Sequence, residues 1–243
     1  MLIEILSLTA ILIFLLMAFI AWRDRSSGNG RFPALFVQQK KEGKIDKALL
    51  KAFNSYSDKD RFFLFWLQMQ RINKTIPQGS MAELGVYQGD SARLLHLMAP
   101  NRILHLFDTF EGFRETDLSN ETGEAGSYKS HHFADTSIRH VKNKLGNHPN
   151  IQLHKGNFAA VCHKFADEQF AFVSIDVDLA RPTDDGIRFF YPRLLPGGVM
   201  IIHDYNPKWR ELMHVVDVFL SEIPERPVLA SDKDTSLIIV KNG

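Results

Sequence analysis

Cysteine is nearly absent: Cys162 stands alone in 243 residues. No internal disulfide can form, which excludes the small stapled scaffolds of oxidising compartments and is compatible with a reducing one. Blocks of basic residues are also missing, and 29 Lys and Arg against 28 Asp and Glu leave a net charge of +1. The electrostatic footprint of a nucleic-acid binder is therefore absent. No internal repeat or long low-complexity tract occurs, which excludes solenoids and propellers. Charge is missing locally as well. From Ile5 to Trp22 there is none, and only Ser7 and Thr9 are polar. Such a run approaches the roughly 20 apolar residues that cross a bilayer core, and it predicts a transmembrane helix. A cleaved leader needs a basic start and a small-residue cleavage site, whereas Glu4 precedes this run and Phe19, Ile20 and Trp22 end it. Arg23, Arg25, Arg31, Lys40 and Lys41 follow the span and no basic residue precedes it. The positive-inside tendency thus predicts a single-pass protein whose remaining chain is cytoplasmic.

The organisation that follows is an anchor over 1–25, a linker over 26–43 carrying Ser26-Ser27-Gly28-Asn29-Gly30, and one domain over 44–243. With 45% hydrophobic and 23% charged residues, that domain can bury a full core. Helical spacing of apolar residues recurs over Ile45–Phe53 and over Phe62–Ile72, with Asp58 and Asp60 as a start signal. Short or continuous apolar runs at 103–107, 151–154, 170–175, 199–202 and 237–240 read as strands. Continuous runs suit strands covered on both faces of a parallel sheet. A helix from about Thr183 to Leu194 lies between two of them, and Pro196-Gly197-Gly198 reads as a turn. The fold class is α/β, a doubly wound, Rossmann-like sheet with helices on both faces.

Ala82-Glu83-Leu84-Gly85-Val86-Tyr87-Gln88-Gly89-Asp90-Ser91 reads as a strand entering a glycine turn that opens a helix. Gly85 and Gly89 let backbone approach a ligand closely, and the N–H groups at the helix start, from Ser91 on, face the same place. The same pattern also occurs in ordinary strand-to-helix loops. Asp108 strengthens the ligand reading, because it ends the next apolar run, where an acid can accept both hydroxyls of a ribose. The spacing departs from Gly-x-Gly-x-x-Gly and so points to a single nucleoside rather than a dinucleotide.

A second cluster sits on later strand ends: Asp176 and Asp178 in Ile-Asp-Val-Asp, then His203 and Asp204 in Ile-Ile-His-Asp-Tyr. Carboxylates so placed suit Mg²⁺ or Mn²⁺, and an imidazole tilts the choice toward softer ions. Metal-free acid–base work by His203 is the other option, and Asp178 could equally cap the helix that follows.

Together, Glu83–Ala92, Leu106–Phe113, Ile175–Leu179 and Tyr191–Tyr205 resemble the macrocin O-methyltransferase family, the TylF/MycF-like class I enzymes that use S-adenosylmethionine. The resemblance covers about residues 60–243. It implies a Rossmann-like sheet with a reversed last strand and methyl transfer to a sugar hydroxyl, often with Mg²⁺. It places Glu83, Gly85, Tyr87, Gly89 and Ser91 at the methionine end of the cofactor and Asp108 at its ribose. Thr109, Phe110 and Gly112 shape the next loop, and Gly156, Asn157 and Phe158 lie beside the adenine. Asp176 becomes metal ligand and base, with His203 and Asp204 completing the metal site and His203 a second catalytic candidate. Two departures stand out: His203 replaces the first acid of an Asp-Asp pair, and Ala180 replaces an aromatic residue, which opens room for a different acceptor. Combined with the anchor, the implied acceptor is a sugar, glycan or lipid-linked molecule at a membrane surface. Assembly of identical chains is compatible with the sequence. Two other classes fit the residues alone: a metal-dependent hydroxylase or hydrolase on this fold, and a catalytically silent, membrane-anchored nucleoside-binding module. The polar stretch Arg114–Asp135 reads as a loop or a lid.

Overall fold

The structure is a computed structural model that describes residues 2–27 and 32–243, with side chains described from 7 to 23 and from 32 onward. Of the linker expected over 26–43, Gly28, Asn29, Gly30 and Arg31 lie outside the described residues. The chain divides into two compact units, one ending at Leu50 and one starting at Lys51.

In the first unit the apolar run forms helix α1 (Leu2–Ser27), unbroken because it contains neither glycine nor proline. Its described apolar side chains, among them Leu12 and Phe14, are exposed. Among the described residues no helix is long and apolar enough to cross a membrane. The stretch expected as an anchor over 1–25 is found as a helix. Helix α2 (Ala34–Lys41) follows Pro33 and ends on Lys40 and Lys41, which suit the negative end of its dipole. Its Phe36 is buried and meets Phe32 edge-on. Helix α3 (Lys47–Ser55), in which the division falls, starts at Asp46, whose carboxylate accepts from the Ala48 N–H at 2.7 Å.

The second unit continues with α4 (Lys59–Thr75), β1 (Ser80–Leu84), α5 (Asp90–Met98), β2 (Leu104–Asp108), α6 (Glu115–Leu118) and α7 (Ile138–Leu145). Then come β3 (Ile151–Lys155), α8 (Phe158–Val161), β4 (Phe170–Ile175), α9 (Ala180–Phe190), β5 (Leu194–Ile202), α10 (Arg210–Glu222), β6 (Val228–Leu229) and β7 (Leu237–Val240). The seven strands make one sheet in the order β3-β2-β1-β4-β5-β7-β6. From β3 to β5 all pairings are parallel, and β7 runs antiparallel to β5. Every residue of β1 and β4 is buried, as continuous apolar strands between two helical layers require. Helix α4 covers one face with Phe62, Phe65, Trp66, Met69 and Ile72, and Phe65 meets Phe172 edge-on at 5.6 Å.

Register decides where function can sit. Leu84 lies level with Phe107 and Ile175, and Ile175 with Ile202. The next residues, Gly85, Asp108, Asp176 and His203, therefore share one edge of the sheet. The chain builds outward from β1 to β2 and β3, then returns to place β4 on the other side of β1. This is a topological switch point, where open α/β sheets bind ligands.

Two local expectations change. Helix α9 begins at Ala180 and ends at Phe190, because Tyr191-Pro192-Arg193 tightens into a 3₁₀ turn. Pro196-Gly197-Gly198 is not a turn but a bulge within β5, where register jumps from Phe170↔Leu194 to Phe172↔Val199.

Candidate active site

The turn after β1 is dictated by a close approach. Gly85 has φ 89°, and a Cβ there would lie 1.8 Å from the carbonyl oxygen of Asp176. Helix α5 then starts from Gly89, an N-cap in the left-handed region that brings no side chain to the first-turn N–H groups. Those donors are left for an anion or a polar ligand. Asp108 ties the turn together: Oδ2 accepts from the N–H of Val86 at 2.7 Å and of Tyr87 at 2.8 Å, and Oδ1 from Phe110 at 2.7 Å. Thr109 Oγ1 donates to the Gly112 carbonyl at 2.7 Å, closing the next loop.

These residues border a cavity of about 610 Å³, well within the range of small-molecule sites. Of the residues expected to bind cofactor, Gly85, Tyr87, Gly89, Ser91, Asp108, Thr109, Gly112, Gly156, Asn157 and Phe158 line it. Glu83 and Phe110 do not; both are buried behind it. Burial first, and then the nearby Asp176, push the Glu83 carboxyl up to about 8, against the opposing Ser91 hydrogen bond.

The far wall carries Asp176, Asp178 and Asp204. Asp178 does not cap α9, whose first N–H, on Ala180, is taken by Glu121 Oε1 at 2.7 Å. Ala180 itself is buried and does not line the cavity, so its small size opens no room there. Tyr87, Phe133, Asp178 and Asp204 all hold φ between 49° and 61° without being glycine. Left-handed backbone costs such residues on the order of 1 kcal/mol each, and four on one cavity mark a place where side-chain direction outweighs local stability. Burial and then Asp176 raise the Asp178 carboxyl to about 7, and the same causes with Asp178 raise Asp204 to about 9. Asp176 goes the other way: burial would raise it, but the charge of Arg61 and its hydrogen bond outweigh burial and hold it low.

Arg61 is the functional residue that sequence reasoning missed. It reaches from α4, where it lies four residues before Phe65 and eight before Met69, and donates from Nη1 to Asp176 Oδ2 at 2.6 Å. A lone cation on a buried aromatic face was the available signal. Tyr56, Tyr128, Trp209, Lys208 and Lys233 complete the cavity and were likewise unforeseen.

The expected metal site is corrected here. His203 is 1% exposed and does not line the cavity. Its Nε2 is 3.1 Å from Ser174 Oγ and its Nδ1 is 2.6 Å from Ser236 Oγ, which in turn donates to Asp232. Burial, then Arg61, lower its pKa to about 4, so it is a neutral, fully bonded imidazole behind the wall. With both ring nitrogens used and Asp176 held by a guanidinium, Asp176, His203 and Asp204 do not fit a divalent ion. Among the described residues no group of three or more His, Cys, Asp or Glu could hold one.

The segment after β2 is fastened rather than loose. The Glu124 N–H donates to the Lys208 carbonyl at 2.9 Å, and Thr122 Oγ1 to Glu211 at 2.6 Å. Phe113, Tyr128 and Phe133 pack on one another and border the cavity.

The family model for macrocin O-methyltransferase (TylF) matches residues 57–229, more than half the chain. Among solved structures, the O-methyltransferase NovP superposes with a TM-score of 0.65 at 19% identity, covering 76% of this chain and 81% of its own. The calicheamicin methyltransferase CalS11 superposes with a TM-score of 0.62 at 16% identity, covering 89% and 88%. An apo structure of CalS11, described as a TDP-rhamnose 3'-O-methyltransferase, gives 0.50 at 17% identity, covering 89% and 90%. These likenesses speak to the fold. Among curated proteins, none matches the chain closely in sequence.

Proposed function

The chain belongs to the macrocin O-methyltransferase family and is an O-methyltransferase, and from that premise we propose that it methylates a hydroxyl of a sugar or glycan-type acceptor using S-adenosylmethionine. The observation that carries the cofactor is the Asp108–glycine turn at the switch point of the sheet, with its Cβ-intolerant backbone and uncapped helix start. When bound, the cofactor supplies a methyl group on a sulfonium, an electrophile that needs no further activation. Asp108 takes the ribose, Gly85, Tyr87, Gly89 and Ser91 the methionine end, and Gly156, Asn157 and Phe158 the adenine.

What remains for the protein is to orient a hydroxyl, accept its proton and exclude water. Asp178 and Asp204 face the cavity, and among the described residues neither is in an ion pair. Asp178, whose carboxyl is lifted only to about 7, is the carboxylate available to take the proton, in place of the His203 and Asp176 that the sequence offered, while Asp204, lifted to about 9, keeps its own proton and can donate a hydrogen bond. The aromatic wall of Phe113, Tyr128, Phe133 and Trp209 suits the apolar face of a sugar ring.

The acceptor reading extends to a membrane surface. Helix α1 exposes Leu8, Leu12, Phe14 and Met17, an apolar surface that suits contact with lipid. Arg23 follows the apolar run, which favours the catalytic unit on the cytoplasmic side and a lipid-linked acceptor.

The test is transfer of labelled methyl from S-adenosylmethionine to free sugars, nucleotide sugars and lipid-linked sugars in vesicles. We expect transfer to sugar hydroxyls, a fall of at least about 100-fold in Asp178→Asn, and preference for the vesicle-bound acceptor. Equal transfer to soluble and lipid-linked sugars would remove the membrane part, and no transfer to any sugar would remove the acceptor class.

A further inference from the structure

Asp176, Asp178 and Asp204 all line the cavity and act on one another electrostatically, a concentration of negative charge that calls for a balancing cation. Here the balancing charge is a side chain. Arg61 bonds Asp176 at 2.6 Å, its Nε lies 3.7 Å from Asp58 Oδ2, and its side chain is 15% exposed. Among the described residues, the bond to Asp176 is the single side-chain hydrogen bond that Arg61 makes. Its other side-chain N–H groups have no hydrogen-bond partner among the described residues, and Arg61 lines the cavity.

The helix is built to deliver this group. Asp58 caps α4 by accepting from the Arg61 N–H at 2.9 Å, and buried Phe62, Phe65 and Trp66 fix the helix against the sheet. The imidazole that stands in sequence where an oxygen ligand is expected has turned away, with both nitrogens given to Ser174 and Ser236.

We infer that the Arg61 guanidinium holds the place of a divalent cation at this edge. It fixes the Asp176 carboxylate and turns its remaining N–H groups toward the acceptor oxygen. A guanidinium stays charged at any working pH and presents a planar fork of donors, so it supplies fixed positive charge without a coordination sphere. What enters the cavity rests on the methyltransferase reading; the occupancy of the cation's place by Arg61 does not.

The test uses the full chain and Mn²⁺ as the probe, following the free-ion signal by electron paramagnetic resonance, with S-adenosylmethionine calorimetry in parallel. Wild type and Asp176→Asn should leave the Mn²⁺ signal equally unchanged. Arg61→Ala bares the carboxylates and should bind Mn²⁺ at least tenfold more tightly than wild type, an effect lost again in Arg61→Ala/Asp176→Asn. A purely structural role for Arg61 would not create an ion site. Stoichiometric Mn²⁺ uptake by wild type that Asp176→Asn abolishes would overturn the inference whether or not the Arg61 variant folds. So would a folded Arg61→Ala that takes up none. Failure of wild type to bind S-adenosylmethionine would instead count against the methyltransferase reading alone.

Discussion

Glu83 is 1% exposed, and among the described residues its Oε2 has no hydrogen-bond partner. Such an oxygen is far cheaper to bury protonated than charged, which is why burial lifts this carboxyl to about 8. The sign for stability follows from linkage. An unfolded chain releases this proton near pH 4.3, whereas the folded chain holds it until about 8. The stabilisation is complete below the lower value and is lost as pH rises through the upper one. Glu83→Gln removes this dependence. Between pH 5 and 9 the melting temperature of the wild type should therefore fall by several degrees more than that of Glu83→Gln, taking about 1.4 kcal/mol per pKa unit and about 2–4 °C per kcal/mol at this size. Parallel pH profiles for the two proteins would contradict it. Single residues were legible where they punctuate a pattern. Asp108 ends an apolar run and Gly85 begins a turn, so both stood out. Arg61 did not, because its partner Asp176 is 115 residues away, and a cation among aromatics reads equally well as one that snorkels to water.

At the scale of elements, the turn between β1 and α5 is the piece least able to change. Gly85→Ala would place a methyl group against the Asp176 carbonyl and force a left-handed backbone on a residue that resists it. Nothing flexible stands in the way to yield; the obstacle is the backbone of the next strand's tip. We predict a loss of at least about 2 kcal/mol in urea unfolding with the m-value unchanged. A cost below about 0.5 kcal/mol would show that the approach of the two strand tips is not as close as described. Elements were legible from the same physics that builds them: β4 is an unbroken apolar run because both its faces are covered. The bulge in β5 was not, since Pro-Gly-Gly announces a turn wherever it falls. The two-residue edge strand β6 has exposed side chains and no alternation to read.

For the whole molecule, the decisive property is register. Strands far apart in sequence are paired so that a glycine turn, the acid Asp108 and two acidic tips end level at one edge. The sequence identified those tips and placed them together, because strand ends are legible and parallel strands share a direction. It could not show which side chains turn into the cavity. His203 and Asp204 are adjacent in sequence, yet one is sealed behind the wall and the other faces the cavity. Hence the metal reading failed where the fold reading held. The central claim is that this edge binds S-adenosylmethionine, and the most direct measurement is calorimetric titration of the cofactor into the full chain and into Asp108→Ala. The account predicts micromolar binding by wild type that weakens at least tenfold in the variant, as expected for two hydrogen bonds to a charged acceptor at roughly 1.5–3 kcal/mol each. No binding by folded wild type, or equal binding by both proteins, would contradict it.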